Sequence, residues 1–119
     1  MEPIRQINLY RDCFLVFYEG LAPRVQEKIE FVLEVLRTQK QVPQEYVKHL
    51  TNSNGIFEIR VAVRGNQYRV LFFFKEGDLI SGGDEIVVLN GFLKKSKKDY
   101  PPAIKKAELL KIQYLEENK

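Results

Sequence analysis

Three arginines and one glutamate are the side chains with the clearest potential for chemistry in this sequence. Glu58, Arg60, Arg64 and Arg69 lie within one segment that is rich in β-branched and aromatic residues. A guanidinium group stays charged and can bind two oxygens of a phosphate at once, and a carboxylate can act as a general base. This combination indicates a surface that binds an anion.

The segment from Gly55 to Phe74 predicts a β-hairpin that would position these groups. Two β-prone runs flank Gly65-Asn66, a dipeptide typical of two-residue hairpin turns. A turn at these two residues fixes the cross-strand pairs. The predicted pairs are Arg64 with Gln67, Val63 with Tyr68, Ala62 with Arg69, Val61 with Val70, and Ile59 with Phe72.

Alternation of side chains separates the two faces of this hairpin. One face is apolar and carries Phe57, Ile59, Val61, Val63, Tyr68, Val70, Phe72 and Phe74. The other face carries Glu58 and the arginines, and it places Arg60 and Arg64 as diagonal neighbours of Arg69 at roughly 7–8 Å. Because like charges so close disfavour folding, we expect an anion, Glu58 or solvent to offset their repulsion.

Five further elements and a basic loop complete the predicted α+β domain, which spans residues 1–119. The sheet is expected to be mainly antiparallel, with Asn90-Gly91 marking a bulge or exit in its last strand and a loose connection over 75–85. The predicted elements are a strand from Asn8 to Tyr18, a helix from Pro23 to Thr38, a shorter helix from Pro43 to Leu50, a buried strand from Ile86 to Leu93, and a helix from Pro101-Pro102 to Glu117.

A run of lysines follows the last predicted strand. It comprises Lys94, Lys95, Lys97 and Lys98, opposed only by Asp99. Such a run is usually a solvated loop. Here the lysine run directly follows a strand that can lie beside the arginine-bearing hairpin. The lysines and the arginines can therefore converge on one face of the sheet. That convergence favours a nucleic-acid partner.

Composition excludes several classes of function. The net charge of +3 and the pI near 9.0 permit a nucleic-acid partner without requiring one. A single cysteine, Cys13, excludes an internal disulfide and multi-cysteine zinc sites, and a single histidine, His49, excludes a histidine-pair metal site. We expect no metal, no cofactor and no membrane span, and therefore a cytoplasmic protein.

Several stretches together resemble the RelE/ParE toxin superfamily, in particular its phage-derived HigB-like branch. They are 55–60 (GIFEIR), 68–72 (YRVLF), 88–95 (VLNGFLKK) and the proline-led helix with 103–107 (AIKKA). The resemblance implies a RelE-like twisted sheet of about four strands, with two N-terminal helices after the first strand and one C-terminal helix. It also implies the toxin of a type II toxin–antitoxin module, neutralised by a helix-turn-helix antitoxin. RelE-like members cleave messenger RNA on the ribosome without a metal.

The resemblance and the chemistry of the residues assign roles to this face. Arg69 matches the family's strand arginine and is expected to bind the phosphate, with Arg60 as the second choice and Arg64 more peripheral. Glu58 is the candidate base, although it could equally pair with an arginine and orient it. The predicted RNA- or ribosome-binding residues are Lys94, Lys95, Lys97, Lys98, Arg64 and Phe92.

The sequence departs from RelE at the end of the last strand, where those toxins place a histidine or tyrosine. Phe92 can stack on a base but cannot transfer a proton. Tyr100 is the nearest phenol, and the adjacent Pro101 suggests a structural role for it, so a lysine or another group must act as the acid. Two alternatives therefore stay open: a gyrase poison of the ParE type, and an inactive relic that only binds an antitoxin.

Overall fold

A computed structural model describes residues 2–77 and 83–119, which form an α+β domain. Within these residues the chain contains five strands, three α-helices and one 3-10 turn. The strands are β1 (Gln6–Leu9), β2 (Val47–His49), β3 (Phe57–Val63), β4 (Asn66–Phe74) and β5 (Glu85–Lys94); the helices are α1 (Cys13–Glu19), α2 (Pro23–Thr38) and α3 (Tyr100–Glu117), and Lys97–Asp99 is the 3-10 turn.

The strands form one sheet in the order β1-β5-β4-β3-β2. All neighbours are antiparallel except β1 and β5, which are parallel. The predicted mainly antiparallel sheet is confirmed, and it has one strand more than the four expected. The long strands β3, β4 and β5 occupy the centre, and the short strands β1 and β2 form the edges.

Helices cover both faces of the sheet. α1 and α2 pack on one face, where Val70 and Phe72 belong to a core with Phe14 and Ile29. α3 packs on the other face against Leu71, Phe73, Val87 and Leu89. Because successive residues of β4 point to opposite faces, its stretch 69–74 is buried on both sides. No described helix is long and apolar enough to cross a lipid bilayer.

The hairpin between β3 and β4 has a different register from the predicted one. Val63 pairs with Asn66, so the turn consists of Arg64 and Gly65, with φ values of 50° and 83°. Positive φ at both central residues is typical of a type I′ turn, which suits the twist of the strands. The register therefore moves by two residues, and Arg69 lies opposite Arg60 instead of Ala62. Because side chains alternate with a period of two, a register shift of two residues keeps each side chain on its predicted face.

The predicted strand from Asn8 to Tyr18 is wrong beyond Leu9. β1 ends there, Arg11 adopts a left-handed conformation with φ of 58°, and Cys13–Glu19 is the helix α1. The apolar residues of this stretch also satisfy helical spacing, because Phe14, Phe17 and Tyr18 lie on the side that packs against the core. Tertiary packing therefore overrides the β-propensity of this aromatic run.

The predicted helix from Pro43 to Leu50 is also wrong. The chain turns over residues 44–46 and then forms β2, which pairs with β3 at the edge of the sheet. Val47 lies opposite Ile59 and is buried. The segment is too short to be stable as an isolated helix. Its structure is therefore decided by pairing with the exposed edge of β3.

The other predicted elements are confirmed. α2 has the predicted bounds, α3 begins one residue before Pro101, and β5 is central in the sheet. Leu71 pairs with Asn90 and Phe72 with Val88, which leaves Leu89 as an extra residue beside the predicted bulge. Of the predicted connection over 75–85, residues 78–82 lie outside the described part of the chain.

Candidate functional site

Arg69, Glu58 and Tyr100 form a hydrogen-bonded cluster under the N-terminus of α3. The guanidinium Nε of Arg69 lies 2.8 Å from Oε1 of Glu58, and the two residues are only 2% and 3% exposed. The hydroxyl of Tyr100 donates to the same carboxylate oxygen at 2.7 Å and accepts from Nε of Arg69 at 3.0 Å. One phenol therefore connects the buried carboxylate and the buried guanidinium.

The burial of Arg69 differs from the exposed position expected of a phosphate ligand. Its Nη1 donates to the carbonyl of Tyr68 at 3.0 Å and to Oε1 of Gln67 at 3.5 Å. α3 covers the guanidinium, and a buried charge is stable only when it is paired and hydrogen-bonded in this way. Arg69 and Arg60 share a face of the sheet, but in this conformation only Arg60 is half-exposed. In this conformation the guanidinium of Arg69 is therefore not exposed to bind a phosphate.

Tyr100 is held as a neutral phenol. Burial raises its pKa above the usual 10.0, and the hydrogen bond to Glu58 raises it further, whereas the hydrogen bond to Arg69 opposes both effects. The ring of Phe92 packs edge-on against the ring of Tyr100 at 5.5 Å, and Nζ of Lys94 lies 5.9 Å from the centre of that ring. The phenol of Tyr100 is therefore hydrogen-bonded to Glu58 and Arg69 while its ring still lines the groove described below.

A capping box places Tyr100 over the sheet. The carboxylate of Asp99 accepts from the backbone N–H groups of Lys95 at 2.7 Å and Ser96 at 2.9 Å, and Ser96 Oγ accepts from the N–H of Lys98 at 3.2 Å. The hydrogen bond from Ser96, followed by that from Lys95, lowers the pKa of Asp99. This tight turn ends β5 and lets the proline-led first turn of α3 start directly above β3 and β4.

A basic groove of about 790 Å³ opens beside this cluster, between β2, β3 and the N-terminal half of α3. Its walls contain five cationic side chains and two carboxylates, of which Glu58 is already paired with Arg69. The lining comprises Lys48, Leu50, Thr51, Asn52, Glu58, Arg60, Lys94, Lys97, Tyr100, Pro101, Ile104, Lys105 and Glu108. The excess of positive charge suits a polyanion.

The structure brings together four of the predicted site residues: Glu58, Arg60, Lys94 and Lys97 all line the basic groove. The others lie elsewhere. Arg69 is buried behind the groove, Arg64 is exposed in the hairpin turn, Phe92 packs on Tyr100, and Lys95 and Lys98 are exposed outside the lining.

Among the cationic and phenolic side chains that line the groove, three were not selected as site residues from the sequence: Lys48, Tyr100 and Lys105. The Ser96-to-Asp99 spacing is that of a capping box and could have shown that the chain turns back over the sheet at Tyr100. No comparable signal marks Lys48, which reaches the groove only because its segment is a strand beside β3.

Residues 17–111 of the chain match the family described as phage derived protein Gp49-like (DUF891). The chain belongs to this family. The match includes β3, β4, β5, the capping box and every residue that lines the basic groove. The Gp49-like family is linked in general to the RelE-type toxins of toxin–antitoxin modules, in agreement with the resemblance drawn from the sequence. No curated protein and no solved structure matches the chain significantly.

Among residues 2–77 and 83–119, no three histidine, cysteine, aspartate or glutamate side chains are grouped so that they could hold a metal ion. The side chains that line the basic groove of this Gp49-like protein include cations, a buried carboxylate and a phenol.

Proposed function

We propose that this Gp49-like protein is the toxin of a type II toxin–antitoxin module and that it inhibits translation by cleaving messenger RNA on the ribosome. The observation that carries the proposal is the basic groove, in which cations surround a phenol hydrogen-bonded to a buried carboxylate. The family's general link to RelE-type toxins supports the toxin part of this proposal.

The proposed reaction uses the RNA's own 2′-hydroxyl as the nucleophile. The 2′-oxygen forms a bond to the adjacent phosphorus, the bond to the 5′-oxygen breaks, and a 2′,3′-cyclic phosphate and a 5′-hydroxyl result. One proton must leave the attacking oxygen and one must reach the departing oxygen. Positioned acids, bases and cations accelerate such a step without a metal.

Each group in the groove has a role in this reaction. Because Glu58 is buried, the 2′-hydroxyl proton passes to the oxygen of Tyr100 as the phenol proton moves to Glu58, over the 2.7 Å hydrogen bond between them. Arg60 and Lys97 stabilise the charge on the phosphorane, and Lys94, next to Tyr100, protonates the departing 5′-oxygen. Arg69 positions Glu58 and does not contact the RNA.

The test is induced expression of the toxin followed by mapping of transcript ends by primer extension. We expect growth arrest and new ends within translated transcripts. Tyr100→Phe keeps the ring but removes the hydroxyl, so it should reduce cleavage by about 10²–10⁴-fold. Arg24→Gln, on the exposed side of α2, is the matched control and should cleave like the wild type. A Tyr100→Phe protein that still cleaves at the wild-type rate would contradict the proposed proton path.

A second function has one observation in its favour. Glu58 and Arg69 are buried and bonded to each other, as in a purely structural ion pair. On that basis the protein would be a non-enzymatic toxin such as a gyrase poison, or an inactive relic that only binds an antitoxin. Growth arrest with intact transcripts and induced DNA-damage signalling would favour the gyrase poison, and the absence of growth arrest would favour the relic.

The proposed partners follow from the proposed function. They are the ribosome with its messenger RNA, and a helix-turn-helix antitoxin encoded by an adjacent gene, all in the cytoplasm. Co-expression of the neighbouring reading frame should restore growth. If it does not, the toxin–antitoxin assignment loses its main support even where cleavage is observed.

A further inference from the structure

The outward face of α3 carries a narrow stripe that no described residue covers. Lys105, Leu109, Ile112 and Glu116 fall within about 60° of each other around a helix of 3.6 residues per turn. Leu109 is 54% exposed and Ile112 is 52% exposed. The stripe lies opposite the side of the helix that packs on the sheet, which contains Ala107, Leu110 and Tyr114.

The charges along this stripe are arranged against the preference of the helix itself. The helix dipole favours acidic side chains in the first turn and basic side chains in the last turn. α3 has neither: two of its three lysines, Lys105 and Lys106, lie in the N-terminal half, Lys111 lies in the C-terminal half before the last turn, and Glu116 lies in the last turn. Glu116 forms an ion pair with the exposed Lys119 at 3.2 Å. The order of charges therefore does not stabilise the isolated helix.

We propose that a second copy of this chain binds to the stripe, with the two α3 helices antiparallel around a two-fold axis. The positions are self-complementary: the axis that places Leu109 against Ile112 of the second copy also places Lys105 against Glu116. Every side chain of the stripe then meets a suitable partner, twice per dimer. The lysines of one helix also approach the negative end of the other helix, which is the favourable arrangement.

Self-complementarity of charge and apolar contact argues for a second copy over an unrelated partner, which would not require it. The contact is small, because it consists of one helical stripe from each chain with Leu115 beside it, 42% exposed. Interfaces of this size are at the weak end of specific association, so we expect a dissociation constant on the order of micromolar. The dimer does not require the cleavage proposed above, but it shares Lys105 with the lining of the basic groove.

Charge reversal provides the test, with sedimentation equilibrium of the full chain over a concentration series as the measurement. The wild type should form a dimer at high concentration. Lys105→Glu and Glu116→Lys each place like charges opposite each other at two sites, and each should weaken the dimer by about tenfold or more. An equimolar mixture of the two variants has complementary charges again and should form a heterodimer. Leu109→Gln should weaken the dimer in every combination.

Two outcomes would overturn the proposal. One is a wild type that stays monomeric up to several times the expected micromolar dissociation constant. The other is a pair of charge-reversal variants that dimerise as the wild type does, or that fail to restore a dimer when mixed. All three positions are exposed, so far-UV circular dichroism should show the wild-type fold for each variant. Arg24→Glu, on the opposite face of the molecule, is the control and should dimerise normally.

Discussion

The pairing of Arg69 with Glu58 determines what the residues of this site can do. Both side chains are almost completely buried, so each has lost its hydration and depends on the other and on Tyr100. The desolvation cost of such a pair can exceed its Coulomb attraction, but removing one partner leaves an uncompensated buried charge. The pair therefore stabilises the fold only as a unit.

Arg69→Met should lower the free energy of unfolding by about 3–5 kcal/mol, because Glu58 is then buried without its counter-ion. The double variant Glu58→Leu/Arg69→Met should recover most of this loss, since it buries no charge. Urea denaturation at neutral pH measures both. Arg60→Met, at the half-exposed position opposite Arg69, is the control and should change stability by less than about 0.5 kcal/mol. Equal losses for Arg60→Met and Arg69→Met would contradict the burial described here.

Tyr100 should make stability depend on alkaline pH. Burial, followed by the hydrogen bond to Glu58, raises its pKa in the folded protein above 10.0, so folding favours the protonated phenol. Its contribution is fully present below the unfolded pKa and is lost as the pH rises through the folded pKa. Tyr100→Phe should be less stable than the wild type by about 1 kcal/mol at neutral pH. The urea midpoints of the two proteins, measured up to and above pH 10, should show this difference in stability shrinking. A difference that stays constant with pH would argue against a raised pKa of Tyr100 in the folded protein.

At the residue scale, the sequence predicts which side chains share a face but not which are exposed. Alternation along β3 and β4 correctly places Glu58, Arg60 and Arg69 together. The burial of Arg69 depends on α3, which follows 31 positions later with Tyr100 as its first residue. No local pattern encodes how closely that helix approaches the sheet, so the sequence alone predicts an exposed arginine cluster.

Among the elements, α1 shows how strongly one contact can depend on a single glycine. The ring of Phe17 lies directly over Gly91 of β5, and a Cβ built at this position would come within 2.4 Å of that ring. The predicted aromatic strand is in fact a helix that packs on β5 through this contact. The sequence contains both residues, but nothing in their spacing reveals that they meet.

Gly91→Ala should destabilise the protein by about 1–3 kcal/mol, because the new methyl group displaces a ring in a packed core. Thermal unfolding measures the loss. The double variant Gly91→Ala/Phe17→Leu replaces the ring with a smaller side chain and so gives the new methyl group space. It should therefore be more stable than Gly91→Ala alone. Gly20→Ala is the matched control, since a Cβ there comes no closer than 3.7 Å to any atom. A Gly91→Ala protein as stable as Gly20→Ala would show that α1 packs differently.

Across the whole molecule, the two sides of the sheet serve different purposes. α1 and α2 complete the larger apolar core on one side, and α3 leaves part of the other side open as the basic groove. The net charge of +3 is small, so the proposed RNA binding must depend on the local concentration of cations in this groove and not on the overall charge.

Binding of single-stranded RNA should weaken with salt in proportion to the phosphates that the groove contacts. Each neutralised phosphate contributes about 0.7 to the slope of log affinity against log salt concentration. Lys94→Gln/Lys97→Gln should therefore reduce the slope by about 1.4. Fluorescence anisotropy with a labelled oligouridylate measures it. Arg24→Gln serves as the control, and an unchanged slope in the double lysine variant would place the RNA outside the groove.

The position of β5 in the sheet has a consequence for synthesis of the chain. β5 lies between β1 and β4, so β1 must wait for the synthesis of β5 before it gains a neighbour in the described sheet. The cluster of Arg69, Glu58 and Tyr100 needs α3, which is made later still. A nascent chain therefore carries an incomplete sheet and no assembled site until α3 has been synthesised. If the protein acts on ribosomes, it can do so only after its own ribosome has translated α3.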